Sequence, residues 1–142
     1  MEYTKLMNIL VDIKTYLGEI NRKNIEIECH TDLVPLIILC RELSFMVFLS
    51  DKAKYSNDKF TKALKDLRDS VGHGNYDFDE SFKKLNSFLT KKTDSFACAL
   101  VYETLKRFMK HFKLSDVERL LVSNIESSIA QNDVQRQARL MP

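Results

Sequence analysis

Hydrophobic residues recur along this chain at helical spacing. Over residues 3–21, Leu6, Leu10, Ile13, Leu17 and Ile20 follow one another in steps of four, three, four and three. Those steps bring all five onto one face of a helix. Asn21-Arg-Lys-Asn is read as its stop. Residues 25–29 alternate but are too short to demand a strand, and are read as a connector. Asp32 stands where an N-cap belongs, with Pro35 in the turn after it. The helix this predicts runs from Leu33 to about Lys54. It is apolar on most sides through Phe48, which places it centrally under other helices.

Ser56-Asn57-Asp58 breaks and re-caps the chain. Phe60, Leu64, Leu67 and Val71 then mark a third helix, which Gly72 and Gly74 end. Residues 75–79 alternate and are expected to be extended. A fourth helix is expected from about Glu80 to Lys91, with Phe82, Leu85, Phe88 and Leu89 inward. Thr93 or Asp94 is expected to cap a fifth, Ser95 to Phe112. Ser115 and Glu118 form a capping box that opens a sixth, whose inward stripe is Leu121, Val122, Ile125 and Ile129. Beyond Gln131 the stripe fades. The division expected is a helical domain over 1–131 and a flexible tail over 132–142. The fold class is all-α, a single bundle of five or six helices.

Composition narrows this further. Only three Gly and two Pro occur in 142 residues, too few for the tight turns of a sandwich or barrel. With 44% hydrophobic and 30% charged residues the chain has the makings of a globular core. The longest apolar run, Leu33 to Leu49, carries Arg41 and Glu42 at its middle, so it reads as a buried helix and not a membrane span. The first residues, Met-Glu-Tyr-Thr-Lys, lack a signal peptide's apolar stretch. Cys29, Cys40 and Cys98 match no zinc spacing, and an odd count argues against a disulfide framework. A cytoplasmic, reducing setting is expected, with no metal and no cofactor. The net charge of +2 is no histone-like bias, so any nucleic-acid contact must be local.

One stretch concentrates reactive groups: Leu67-Arg68-Asp69-Ser70-Val71-Gly72-His73-Gly74-Asn75-Tyr76. Arg68 and Gly72 lie one turn apart on one helix face, and His73 follows where the chain leaves the helix. Gly72 and Gly74 free the backbone to bend. Arginine offers a rigid, permanently charged fork for phosphate oxygens. Histidine titrates near neutrality and can move a proton. RNA brings its own nucleophile in the 2′-OH, so such a pair can cut RNA without metal. Arg68 is also placed to form a surface ion pair with Asp66 or Asp69.

These residues resemble the signature of HEPN (higher eukaryotes and prokaryotes nucleotide-binding) domains. That signature is an Arg and a His separated by four to six residues, with a polar residue after the Arg. Here four residues separate Arg68 from His73, and Asp69 holds the polar position. The resemblance covers about ten residues; the rest of it is architectural. It implies a helical homodimer whose two motifs face each other, and metal-independent endoribonuclease activity. It also implies a setting, for many members, in toxin–antitoxin or antiviral defence, with an antitoxin as partner. In that reading Arg68 holds phosphate, His73 transfers the proton and Asp69 supports the geometry.

A basic run extends over residues 81–113, with eight cations against Asp94 and Glu103. Lys83, Lys84, Lys106, Arg107 and Lys110 are its candidate RNA-backbone contacts, and a solvated helix face is the competing reading. Such a patch also suits an antitoxin or a subunit of a larger nucleic-acid complex, with His73 idle. A different class competes with RNA chemistry. Leu67-Arg68-Asp69-Ser70-Val71 with Gly74 also resembles the start of a conserved region in B-cell-lymphoma-type apoptosis regulators, viral ones included. Those bundles hold an amphipathic death-motif helix in a groove. Their pattern continues directly into an apolar central helix, whereas Asn75-Tyr-Asp-Phe-Asp-Glu80 follows here.

Overall fold

The computed structural model of the chain describes residues 3–23, 30–50, 58–72, 78–91, 93 and 95–140. Six helices account for nearly all of them: α1 (Tyr3–Lys23), α2 (His30–Ser50), α3 (Lys59–Gly72), α4 (Phe78–Asn86), α5 (Phe96–Met109) and α6 (Asp116–Leu140). No strand occurs among the described residues. The architecture is the all-α bundle that the periodicity predicts.

Packing follows the apolar faces. α2 lies against α1, α3 and α5; α1 also packs on α5 and α6; α4 covers α3. Leu6, Leu10, Ile13 and Leu17 of α1 are fully buried, as their spacing requires. On α2, residues Leu33, Leu36, Ile37, Cys40, Leu43, Met46 and Val47 reach the core. α5 is the second central helix: Phe96 to Val101, Leu105 and Phe108 are buried, together with Glu103 and Thr104. The bundle therefore has two inner helices, not the one that the sequence suggests. Phe45, within the apolar stretch of α2, is 44% exposed. It lies two residues from Leu43 and Val47, which puts it on the opposite side of α2.

Several boundaries differ from expectation. α2 begins at His30, so Asp32 lies inside its first turn and is not the N-cap. Residues 51–57 and 73–77 lie outside the described residues, and with them the expected end of α2 near Lys54 and most of the extended segment 75–79. Phe78 and Asp79 of that segment are already helical. α4 stops at Asn86, with backbone bonds from Phe88 to Leu85 and Leu89 to Asn86 closing a turn where the sequence predicts helix to Lys91. Ser95 is the N-cap of α5. Its φ of −93° and ψ of 109° are extended, and its hydroxyl accepts from the Cys98 N–H at 3.2 Å. Thr93, an expected cap, accepts instead from the Ser95 N–H; Asp94 lies outside the described residues. α5 ends at Met109, three residues before Phe112.

The largest difference is at the C-terminal end. α6 continues through Leu140, across the stretch read from the sequence as a flexible tail. Two physical causes account for it. Residues 132–140 hold good helix formers (Gln, Arg, Ala, Leu) and no Gly or Pro. Asn132 is also buried, and its Oδ1 accepts from the Cys98 thiol at 3.5 Å, which ties the helix to α5 beyond the apolar stripe.

The capping box at α6 is formed as expected. The Ser115 N–H donates to Glu118 Oε1 at 2.7 Å and the Glu118 N–H donates to Ser115 Oγ at 3.3 Å. Ser115→Ala is expected to cost about 1 kcal/mol, read as a lower urea midpoint with unchanged slope. An unmoved midpoint would mean that the box contributes nothing to the native state.

Candidate functional site

Asp58 starts α3. Its carboxylate accepts from both the N–H and the hydroxyl of Thr61, an N-cap that settles where the helix begins. From there Phe60, Ala63, Leu64 and Leu67 point inward. Ser70 is buried too, its hydroxyl donating to the Leu67 carbonyl at 2.7 Å. That register leaves Arg68 and Asp69 on the outer side. Their side chains are 42% and 43% exposed, and Arg68 Nη1 lies 3.6 Å from Asp69 Oδ1. Of the two acids the sequence offers, Asp69 is the one that pairs. Gly72 closes the helix. His73 and Gly74 lie outside the described residues, so the structure places one half of the Arg–His pair.

The basic run divides into separate groups. Lys83 and Lys84 are exposed on α4, while Lys106, Arg107 and Lys110 lie at the end of α5. Those three line a cleft of about 310 Å³ bounded by α2, the start of α3, Thr90 and α5. Lys83 and Lys84 do not line it. Arg68 is eight residues beyond Phe60 on α3, about 12 Å along the axis, so the cleft and the Arg68 motif sit at opposite ends of that helix.

Arg107 is not a free cation. Its Nε donates to Glu103 Oε2 at 2.8 Å, one turn back on α5. Its guanidinium carbon stands 4.4 Å from the centroid of the Phe60 ring and 5.9 Å from that of Phe88. Phe60 and Phe88 meet edge to face. The other carboxylate oxygen of Glu103 accepts from the Thr90 hydroxyl at 2.8 Å and the Thr90 N–H at 3.2 Å. Burial pushes the Glu103 carboxyl upward. The Thr90 and Arg107 hydrogen bonds and the Arg107 charge outweigh it and hold the group below the ordinary carboxylate range. Glu103, 2% exposed, is therefore an ionised group inside the bundle. Lys106 Nζ approaches Thr90 Oγ1 at 3.4 Å. Lys110 and His111 are exposed at the same end.

Glu103, Thr90 and Thr61 are cleft residues to which the sequence reading gives no role, and Asp58 appears there only in the segment that re-caps the chain, a role it fills. A signal for Glu103 exists: it is an acid on the apolar side of α5, four residues before an arginine, at the spacing of a helical ion pair. Nothing comparable marks Thr90, which reaches Glu103 only through the fold.

The two described cysteines, Cys40 and Cys98, are buried. Burial pushes the Cys40 thiol up to about 12 against a weaker opposing effect of its Thr104 hydrogen bond, so it is no nucleophile near neutral pH. Among the described residues no three His, Cys, Asp or Glu lie together as a metal-ligand set, and no helix is long and apolar enough to cross a membrane. The chain matches no protein-family model, no curated protein and no solved structure.

Proposed function

We propose that the chain is an RNA-acting helical domain of the HEPN kind, a metal-independent endoribonuclease working as a homodimer. The observation that supports this reading is the setting of Arg68. It stands half-exposed on the last full turn of α3, with Asp69 beside it at the position where the signature commonly has a polar residue. An exposed arginine with a single loose carboxylate partner keeps donors for a phosphate, and such surface pairs are weak, about 0–1 kcal/mol. A phosphodiester competes well against that pair because it meets the arginine fork with two oxygens.

The chemistry assigned to the pair is transesterification. The 2′-OH attacks the adjacent phosphorus and the bond to the 5′ oxygen breaks. The products are a 2′,3′-cyclic phosphate and a 5′-hydroxyl end. His73 takes the proton from the 2′-OH or gives one to the leaving oxygen, and Arg68 stabilises charge on the phosphorane oxygens. One Arg and one His are a thin catalytic set; a two-fold axis through the motif supplies a second of each. Lys83 and Lys84, exposed on the helix that packs against α3, extend the positive surface for the RNA backbone. A toxin or defence role, an antitoxin partner and a cytoplasmic setting belong to the same proposal. The helix-groove reading has less behind it. The helix after Gly74 is the nine-residue α4, in which Leu85 is the buried residue, rather than a buried central helix.

The test is cleavage of single-stranded RNA in the presence of a chelator. Native chain is expected to yield cyclic-phosphate ends. Arg68→Ala and His73→Ala are expected to lower the rate by about 10² or more each, with unchanged helical circular dichroism. Full activity in both variants would remove the site, and no cleavage by the native chain would remove the activity.

A further inference from the structure

The cleft at the start of α3 gathers more groups than the Arg68 surface, and the RNA reading gives its Asp58, Ser44 and Thr90 no task. We infer that it binds a small phosphorylated polyol, such as a sugar phosphate, at a site of its own. The wall formed by α5 supplies donors. Lys106 and Lys110 are one turn apart on the same face, and His111 follows at the rim. Arg107, between them, already has Glu103 as its counter-ion, so the charge the cleft offers a ligand is that of Lys106 and Lys110. Two ammonium groups match a phosphomonoester dianion better than the single charge of a diester.

The lining contributed by α2 and α3 adds an acceptor and a hydroxyl. Asp58 uses Oδ2 on Thr61, which leaves Oδ1 for a ligand hydroxyl, and Ser44 of α2 also lines the cleft. That division decides the ligand class. A bare anion would leave the Asp58 carboxylate facing it without a partner. An uncharged polyol would make no use of the positive excess of Lys106, Arg107 and Lys110 over Asp58 and Glu103. A molecule that carries both a phosphate and hydroxyls satisfies both sets of groups. The volume lies at the lower end of the range for small-molecule pockets, about 300–1,000 Å³, which suits one sugar phosphate and not a run of nucleotides.

The floor is rigid for a physical reason. Glu103 is bonded to Thr90 and Arg107, Arg107 stacks on Phe60, and Lys106 is steadied by the Thr90 hydroxyl. Arg107 and, more loosely, Lys106 are thus positioned before any ligand arrives, which lowers the ordering cost of binding.

The inference does not depend on the RNA reading, and titration calorimetry on the full chain separates them. Ribose 5-phosphate is expected to bind saturably, with inorganic phosphate and ribose each weaker by about tenfold or more. Lys106→Gln with Lys110→Gln is expected to weaken ribose 5-phosphate by about tenfold or more, while Arg68→Ala leaves it unchanged. Both lysines reach solvent, so the double variant keeps its fold, checked by its urea midpoint. Four results would overturn the site: no saturable binding, equal binding of inorganic phosphate and ribose 5-phosphate, no effect of the double variant, or an RNA oligonucleotide that outcompetes the sugar phosphate through the same two lysines.

Discussion

Phe60→Ala is expected to destabilise the protein by about 3–5 kcal/mol, the range for removing a large buried aromatic. Phe60 is 1% exposed, and its ring is used on three sides. It meets Phe88 at 6.1 Å between centroids with an interplanar angle of 76°, carries the Arg107 guanidinium at 4.4 Å, and sits in the core with Leu64 and Leu67. Alanine would open a cavity where α3, α5 and the turn after α4 converge. It would also remove the surface on which Arg107 rests, a contribution of about 0.5–2 kcal/mol by itself. Domains of this size are stable by about 5–15 kcal/mol, so the variant should be partly unfolded at modest urea. Phe60→Leu keeps most of the volume and should cost about 1–1.5 kcal/mol. Urea unfolding by circular dichroism measures both. Similar midpoints for native chain and Phe60→Ala would contradict the packing described.

Glu103→Ala should cost about 2–3 kcal/mol at pH 7, because it removes the charged acceptor of the Thr90 and Arg107 hydrogen bonds. This loss carries a pH signature. The Glu103 pKa is lowered in the folded chain relative to its unfolded value. The stabilisation it brings is therefore fully present above the ordinary carboxylate range and is lost as pH falls through the lowered value. The gap in stability between native chain and variant should be widest near neutral pH and shrink in acid. Glu103→Gln tests the same point with little change of volume: it keeps a hydrogen-bonding side chain but not the charge. Urea midpoints across the acid range decide it. A gap that stays constant with pH would mean that Thr90 and Arg107 do not favour the ionised carboxylate.

These two substitutions also bear on the cleft, since Phe60 and Glu103 together hold Arg107 between Lys106 and Lys110. The cleft and the Arg68 surface are separated along α3, and the two proposals stand or fall on different side chains. The basic run is divided in the same way: Lys83 and Lys84 are exposed on α4, whereas Lys106 and Lys110 border the cleft.

Much of this molecule is legible in its amino-acid order, because helix periodicity is a local property. Each of α1, α3 and α6 announces its buried face through apolar residues three and four apart, and the capping box at Ser115 and Glu118 needs only four consecutive residues. Boundaries were less legible where tertiary contacts override the local pattern. The last helix runs past Gln131 with Asn132 held by Cys98, a bond between residues that no spacing rule connects. Arg68 and Asp69 are neighbours, so their pairing could be foreseen; their outward aim follows from the buried faces on either side. The cleft is a different matter. Arg107 stacking on Phe60, and Thr90 bonding to Glu103, require α3, α5 and the turn after α4 to meet in space. Only packing decides which of eight scattered cations share one cavity, because charge in a sequence carries no direction until the apolar faces have been buried.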